Sequence, residues 1–296
     1  MSVELKRILV AVDLGAQSAE VLEWARWFAM LYGTRVDVVH AISVDLPPYF
    51  TENQLTAFAA ELRKERVEVE KRLKRLAGDV LGNVPFEVTV VEGPAIEAIR
   101  RAVERVRPGL LMIGSHGHAR WRRLLLGSVA ENLFRESSCP TLVVKSKLPQ
   151  AGVQAILCPV NFSELALECS RYSKAVAEKS GADLFLLQAV EEPGADVDLI
   201  RDRLCQWHAE AGVAHSRVVE IVRRGHPVEE MVAEGQRHAI GLIVVGAAQR
   251  TLLGSLVIGR TTEQIVRLSP ISVLVVPAGA PAMVPAQAEE HRSQIA

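Results

Sequence analysis

Four residues between positions 114 and 128 form a pattern that suits phosphate binding. Gly114 and Gly117 are separated by two residues, and Gly127 and Ser128 follow after nine more. Gly114 ends an apolar run, 110–113, that is typical of a buried β-strand. Glycines at a strand exit let backbone N–H groups approach a ligand, and the dipole of a helix beginning at Gly127-Ser128 favours an anion. The spacing therefore predicts a phosphate site.

The composition limits the possible classes of protein. A chain of 296 residues with 49% hydrophobic residues can bury a large core and suggests two domains. Its net charge of −1 gives little attraction to nucleic acid or anionic membranes, so we expect neither partner. We expect a soluble, cytoplasmic protein, because no apolar run resembles a signal peptide or a membrane span. The four cysteines form no Cys-x2-Cys pair, which is typical of reduced thiols.

The chain repeats its own pattern. Residues 6–13 and 154–161 are both short apolar runs that end in a polar residue, 148 positions apart. Farther along, the offset falls to 132. The difference predicts about 16 extra residues in the first half, which we place in a longer second helix across 51–76. The matches at the smaller offset are Gly93 with Gly225, Gly114 with Gly246, and Gly127 with Gly259.

Each half reads as five strands that alternate with four helices. The strands are nearly continuous Val, Ile and Leu, which is typical of a parallel sheet covered by helices on both faces. Ser18 and Ser163 are predicted to cap the first helix of each half. In such doubly wound sheets, ligands bind at the carboxyl ends of the strands. The predicted strands are 7–13, 35–42, 85–91, 110–114, 141–145, 154–160, 183–190, 217–223, 241–246 and 272–276.

The predicted domains cover residues 1–147 and 153–279. Pro and Gly interrupt both patterns at 147–152, which we interpret as a linker. The remaining segment, 280–296, is rich in Ala, Pro, Gln and Glu and is predicted to be disordered.

With motif and repeat together, the chain resembles the universal stress protein family in its tandem, two-domain form. The resemblance covers about residues 4–146 and 153–278. Its sharpest part is the family's nucleotide signature, Gly-x2-Gly-x9-Gly-(Ser/Thr), which the residues between 114 and 128 match at every defined position. Supporting matches are Asp13 at the end of the first strand, the run Val39-His-Ala, and Cys139-Pro140 before the last strand of the first half.

The resemblance implies an α/β fold of two tandem doubly wound five-stranded parallel-sheet domains, of the adenine-nucleotide α-hydrolase-like type with strand order 3-2-1-4-5. It also implies ATP binding, with a Mg²⁺ ion on the phosphates that keeps several waters. Asp13 would contact the ribose or adenine side, Ala41 and Ile113 would line the adenine pocket, and the glycines would admit the phosphates. The implied nucleotide-binding residues are Ala11, Asp13, Ala41, Ile113, Gly114, Gly117, Gly127, Ser128, Val129 and Ala130.

The second half departs from the nucleotide signature. Asn161 removes a carboxylate, and Gln249 puts a side chain where the backbone should approach phosphate. Arg260 either binds a phosphate directly or fills the vacated space. We therefore expect nucleotide mainly in the first domain. The exchanges are Asp13 to Asn161, Gly117 to Gln249, and Ser128 to Arg260.

The two domains are expected to pack against each other about a pseudo-twofold axis. The last strands, 141–145 and 273–277, are apolar sheet edges, and mutual contact would cover both. A homodimer of the whole chain is also expected.

Other polar residues allow further readings. His116 and His118 are candidates for catalysis or metal binding, and Trp121 with its neighbouring arginines is a candidate for stacking on a nucleic-acid base. Both groups are explained more simply as solvated loop residues. A soft-metal site is conceivable at Cys205, His208 and His215, although the local sequence supplies no fourth ligand for zinc. We assign no catalytic residue and no metal ligand. The arginines are Arg120, Arg122 and Arg123.

Three functions are compatible with these residues. The first is an ATP-binding regulatory or interaction protein of the stress response, with at most slow hydrolysis. The second is an interaction protein that needs no nucleotide. The third is an enzyme of the same fold that cleaves ATP at the α-phosphate, but the Ser-Gly-Gly-rich loop common in such enzymes is replaced here by Leu14-Gly-Ala-Gln. P-loop, zinc-protease and Rossmann glycine motifs do not occur.

Overall fold

The fold was analysed in a computed structural model. It describes residues 2–43, 52–115, 126–210, 212–213, 217–248, 250–252, 255–280 and 282–284. The elements of the first half are β1 (Ser2–Glu4), β2 (Arg7–Ala11), α1 (Ser18–Tyr32), β3 (Arg35–Ile42), α2 (Glu52–Leu81), β4 (Phe86–Glu92), α3 (Ala95–Val106), β5 (Leu110–Gly114), α4 (Ser128–Glu136) and β6 (Thr141–Val144). Those of the second half are β7 (Ala155–Pro159), α5 (Glu164–Ser180), β8 (Asp183–Val190), α6 (Val197–Glu210), β9 (Val218–Arg224), α7 (Pro227–Arg237), β10 (Leu242–Ala247), β11 (Arg250–Leu252), β12 (Ser255–Val257), α8 (Arg260–Leu268), β13 (Ser272–Pro277) and β14 (Ala282–Val284).

Ten strands form one sheet with the order β4-β3-β2-β5-β6-β13-β10-β7-β8-β9. Counted within each half, this is the order 3-2-1-4-5, so the predicted α/β topology is confirmed in both halves. Neighbouring strands run parallel except β6 and β13, which pair antiparallel at the centre. Two small sheets stand apart, one of β1 with β14 and one of β11 with β12.

Alternate residues of each strand face opposite layers of helices. On β2, Ile8 and Val10 belong to the hydrophobic layer that also contains residues of α1, α2, α5 and α6. Leu9 and Ala11 belong to the opposite layer, which contains residues of α3, α4, α7 and α8. Burial on both faces explains why the strands read as continuous apolar runs and not as an alternating pattern. Among the described residues, no helix combines the length and the apolar character needed to cross a membrane.

The longer second helix of the first half is confirmed. Helix α2 has 30 residues and its counterpart α6 has 14, a difference of 16. Leu73, Ala77 and Leu81 of α2 are fully buried. Their spacing of four places them on one face of the helix, which explains how so polar a helix remains attached to the sheet.

The two predicted helix caps differ. Ser163 caps α5, because its hydroxyl accepts a hydrogen bond from the Ala166 N–H at 3.2 Å. Ser18 does not cap α1: it is the first residue of the helix, after Gln17, and its hydroxyl donates to Asp13 at 3.2 Å. The prediction for Ser18 was therefore wrong, because α1 begins at Ser18 itself and Gln17 holds the N-cap position.

Replacing Ser163 with alanine should destabilise the second half by about 1 kcal/mol, the usual cost of removing an N-cap. Chemical denaturation would measure the change. The matched variant Ser18→Ala removes no cap, so it should not show the loss of helix stability expected for a capping serine. If Ser18→Ala lowers the free energy of unfolding as much as Ser163→Ala does, the assignment of the caps is contradicted.

Part of the segment predicted to be disordered is a strand. β14 pairs parallel with β1, so the chain's first and last described residues lie side by side. Before it, the Gly279 N–H donates to the Glu168 carboxylate of α5 at 3.0 Å. The prediction for 280–296 is thus corrected for residues 282–284, because β1 offers them backbone partners that composition does not reveal. Residues 285–296 lie outside the described part of the chain.

The two halves meet at the centre of the sheet. Leu142 of β6 lies opposite Leu274 of β13, and Val143 lies opposite Val273. The Ser272 hydroxyl accepts a hydrogen bond from the Lys145 N–H at 3.1 Å. The predicted contact between the two last strands is therefore confirmed, and neither strand is a free edge.

Helices α4 and α8 add a reciprocal ion cluster beside this contact. Arg135 and Arg267 each form ion pairs with both Glu131 and Glu263. The offset of 132 relates Glu131 to Glu263 and Arg135 to Arg267, so the cluster repeats itself about a pseudo-twofold axis. Because these side chains are partly exposed, they fix the mutual orientation of the helices more than they add stability.

Candidate functional site

A cavity opens at the topological switch point of the first half, where β3 and β5 lie on opposite sides of β2. β2 pairs with β3 on one side and with β5 on the other, and the crevice lies at the carboxyl ends of these strands. Its volume is about 320 Å³, within the lower range of small-molecule sites. It is lined by Ala11, Val12, Asp13, Gln17, Ser18, Val21, Ala41, Ala95, Ile99, Ile113, Gly114, Gly127, Ser128, Val129 and Ala130.

Nine of the ten residues implied by the resemblance line this cavity. They come from four separate places along the chain: the end of β2, the end of β3, the end of β5 and the start of α4. The tenth, Gly117, lies outside the described residues, as do His116, His118 and the arginine cluster around Trp121. The fold therefore brings together residues that are up to 119 positions apart, from Ala11 to Ala130.

The loop after β2 holds Asp13 in place. Its Oδ1 atom accepts hydrogen bonds from the Gly15 N–H at 2.8 Å and from the Ser18 hydroxyl at 3.2 Å. A Cβ on Gly15 would lie 2.9 Å from the same oxygen, so a side chain here would have to displace the Asp13 carboxylate. The carboxylate is thereby fixed at the wall of the cavity before any ligand arrives.

Helix α4 directs its N-terminus at the cavity. The Gly127 N–H donates to the Ser115 carbonyl at 2.8 Å, which fixes the start of the helix beside the end of β5. The helix's own ladder begins with the Glu131 N–H and the Gly127 carbonyl at 2.9 Å. The N–H groups of residues 128–130 precede that bond and so have no acceptor within the helix, which suits them to an anion. Gly127 has φ −65°, an angle that any residue can adopt. Glycine matters at this position because it has no side chain to block a ligand.

Sequence reasoning missed several residues of the cavity wall. Gln17 of the α1 entry donates through Nε2 to the Val144 carbonyl at 3.1 Å and to the Ser115 hydroxyl at 3.3 Å, which ties α1 to β5 and β6. Ala95 and Ile99 lie one turn apart at the start of α3, so helical spacing could have suggested that they share a face. The motif alone gave no signal for them.

Two larger cavities lie elsewhere and contain none of the residues implied by the resemblance. One, of about 460 Å³, includes Arg107, the C-cap of α3. The other, of about 680 Å³, includes Gly33, the C-cap of α1, together with Lys6, Arg26 and Arg35. Their cationic side chains favour an anion and the nearby helix C-termini oppose it, so charge alone does not exclude them. The cavity at the start of α4 is the stronger candidate because the implied nucleotide-binding residues converge there.

Comparison with known proteins identifies the chain. A family model described as the universal stress protein family matches residues 4–145 and 152–277. This chain belongs to the universal stress protein family. The two matches cover the two halves of the central sheet and leave out the segment between β6 and β7.

Individual relatives agree with a tandem arrangement. The universal stress protein Rv2005c of Mycobacterium tuberculosis is 25% identical over 300 residues, covering 90% of this chain and 96% of its own length. The universal stress protein MJ0577 of Methanocaldococcus jannaschii is 29% identical over 160 residues, covering 50% of this chain and 99% of its own. A crystal structure of a universal stress protein from Archaeoglobus fulgidus has a TM-score of 0.72 at 22% identity, covering 94% of this chain and 100% of that one, and supports the fold.

In this universal stress protein the second half has an equivalent but smaller cavity, of about 250 Å³. Leu165 fills part of it, since a Cβ on Gly246 would lie 2.4 Å from the Leu165 Cγ. At the same position the first half has Gln17, whose side chain points to β5 and β6. Thr262, at the position of Ala130, donates its hydroxyl to the Gly246 carbonyl at 2.6 Å.

Two of the three predicted exchanges can be located. Asn161 lines the second cavity, and its Oδ1 atom accepts from the Ser163 hydroxyl at 2.6 Å, as Asp13 accepts from Ser18. Arg260 is exposed at the first position of α8. Gln249 lies outside the described residues. The second site thus keeps the scaffold of the first, but side chains occupy part of its space.

All four cysteines of this universal stress protein are free. Two of the residues considered for a metal do come together: Cys205 and His208 of α6 lie beside Glu220 of β9, with their ligand atoms within 4.8 Å of one another. His215 lies outside the described residues. Sequence analysis missed Glu220, which follows His208 by 12 residues. Only the packing of α6 on β9 brings it near Cys205 and His208.

Proposed function

We propose that this universal stress protein binds ATP, with Mg²⁺, in the cavity of its first domain and acts as a regulatory or interaction protein of the stress response. The observation that carries this proposal is the convergence of nine motif residues on one cavity that also receives the N-terminus of α4. Chance placement of four separate chain segments would not assemble such a site. The expected cytoplasmic location and homodimer stay predictions.

The two ends of the cavity suit the two ends of a nucleotide. Ala41, Ile99 and Ile113 give an apolar wall against which an adenine ring can lie. At the other end, the start of α4 offers backbone N–H groups and the Ser128 hydroxyl to phosphate oxygens. Asp13 also lines the cavity, and its carboxylate can accept hydrogen bonds from ribose hydroxyls.

The cavity offers little protein ligation for a metal ion. Asp13 is the one carboxylate among the described residues that line it. Mg²⁺ needs few protein ligands when phosphates and waters complete its octahedral shell. We therefore infer that the ion enters with the nucleotide and is held mainly by its phosphates.

The same residues favour binding over turnover. Among the described lining residues, no histidine, lysine or second carboxylate is present to activate a water at the phosphate end. A protein whose surface changes with nucleotide occupancy needs no such group. We infer that any hydrolysis is slow.

Titration of the whole chain with ATP and Mg²⁺ tests the proposal. Isothermal calorimetry should give one site per chain. Ala41→Phe should abolish binding, because the aromatic ring would occupy the space assigned to adenine. Ala189 holds the equivalent position and lines the second cavity, so Ala189→Phe is a matched control that should bind as the parent does.

The possible results separate the alternatives. If the parent binds no ATP and gains no thermal stability from it, the protein is a nucleotide-independent interaction protein. Two equal sites, with one lost in each variant, would refute the asymmetry of the domains. Release of pyrophosphate that depends on a second substrate would favour an enzyme that cleaves ATP at the α-phosphate.

A further inference from the structure

The second domain contains a compact group of three metal-binding side chains away from the nucleotide cavity. Cys205 and His208 lie three positions apart on α6, so they share one face of the helix. Glu220 projects from β9, the edge strand on which α6 packs. One thiol, one imidazole nitrogen and one carboxylate oxygen lie within 4.8 Å of one another, and all three residues are half-buried.

The equivalent position of the first domain shows that packing alone does not require Glu220. In the second half Glu220 lies opposite Leu186 on β8, and in the first half Val88 lies opposite Val38 on β3. The repeat offsets equate these two pairs. Val88 packs against the hydrophobic core beneath α2. The second domain thus has a carboxylate beneath its helix where the first has an apolar side chain.

Glu220 binds both of its neighbours through protons that a cation can replace. The His208 Nε2 atom lies 2.6 Å from the Glu220 Oε1 atom. Burial and the charge of Glu220 raise the pKa of the Cys205 thiol, which is also hydrogen-bonded to that carboxylate, while Arg201 opposes the shift. A divalent ion bound here would displace these protons.

His208 also has an unused nitrogen. When its Nε2–H donates to Glu220, the Nδ1 atom carries a lone pair, and this atom is buried without a hydrogen-bond partner in the described part of the chain. Buried imidazole nitrogens normally find a partner. Because the two ring nitrogens point away from each other, Nε2, which faces Glu220, is the atom that would bind a cation, and Nδ1 would then carry the proton.

We propose that Cys205, His208 and Glu220 form a binding site for a thiophilic divalent cation of the Zn²⁺ class. Thiolate and imidazole ligands select zinc over magnesium or calcium, and a carboxylate oxygen is a third kind of ligand that zinc accepts. The fourth position falls to a water, since the three residues are only half-buried. The site does not depend on the proposed nucleotide function, because it lies between α6 and β9, away from the nucleotide cavity.

Zinc titration of the reduced, metal-free whole chain tests this site. We expect one tightly bound Zn²⁺ per chain, measured by competition with a chromophoric chelator. Cys205→Ser and Glu220→Gln should each lower the affinity by about 10- to 100-fold or more. Cys139→Ser and His226→Asn remove a cysteine and a histidine outside the cluster, and should bind zinc as the parent does.

A second readout keeps the test independent of folding. Co²⁺ bound through a thiolate gives a charge-transfer absorption band, which should be present in the parent and in both controls and absent in Cys205→Ser. Glu220→Gln can still accept the hydrogen bond of His208, so its fold should be retained, as circular dichroism would check. A parent that binds no zinc, or equal affinities in the parent, Cys205→Ser and Glu220→Gln, would overturn the proposal. ATP binding should be the same in all of these variants.

Discussion

Replacing Asp13 with asparagine should weaken ATP binding about 10- to 100-fold while leaving the fold intact. A hydrogen bond to a charged group contributes about 1.5–3 kcal/mol, and each 1.4 kcal/mol corresponds to about tenfold in affinity. Asparagine has the shape of aspartate but one acceptor oxygen fewer and no charge. The loss would therefore report the contact between the carboxylate and the ribose.

The chain itself shows that asparagine is tolerated at this place. Asn161 has the same position in the second half, and its Oδ1 atom accepts from the Ser163 hydroxyl at 2.6 Å and from the Ser163 N–H at 3.2 Å. Asp13 uses Oδ1 in the same way toward Ser18 and Gly15. The loop after β2 should thus keep its conformation in Asp13→Asn.

Calorimetry with ATP, and thermal unfolding without it, measure the two parts of this prediction. Asn161→Asp is the matched control: because Leu165 and Thr262 still occupy the second cavity, it should not create a second site. An unchanged affinity in Asp13→Asn would show that the ribose does not bind there. A second site in Asn161→Asp would show that the missing carboxylate, and not the lost space, separates the two domains.

Much of the fold could be predicted from the sequence, because both halves of the chain carry the same local patterns of strands and helices. The strands are apolar runs bounded by turns, and the repeat aligned the two halves closely enough to place 16 extra residues in the second helix. The strand order, by contrast, came from the resemblance to the family. For the cavity, the glycine spacing and Asp13 were informative, since Gly114 and Asp13 each end a predicted strand.

What could not be predicted depends on contacts between distant residues. Ser18 has the sequence context of a cap, but it is the first residue inside α1, and its hydroxyl donates to Asp13. Gln17 and Leu165 are equivalent positions, and only the packing of Leu165 against Gly246 shows that one cavity is narrowed. Glu220 reads as an ordinary polar residue of an edge strand until α6 is placed over it. In each case the side chain's role depends on the tertiary partner.

The joined sheet leads to a second prediction of large effect. Leu142→Ala should destabilise the chain by about 2–5 kcal/mol, the range for truncating a buried leucine. Leu142 and Leu274 are both fully buried and lie opposite each other where β6 meets β13. Because the two halves share one sheet, we expect a single unfolding transition in denaturant, from which this loss can be measured.

A double-mutant cycle separates the contact between the halves from ordinary core packing. Leu142→Ala and Leu274→Ala should be non-additive by about 0.5–3 kcal/mol, because the first truncation already removes the partner of the second. Leu184 of β8 is equally buried but lies four strands from β6, so the pair Leu142→Ala with Leu184→Ala should add to within about 0.5 kcal/mol. Additive losses in the first pair would mean that β6 and β13 are not packed together in solution. Two separate transitions in the parent would mean that the halves unfold independently.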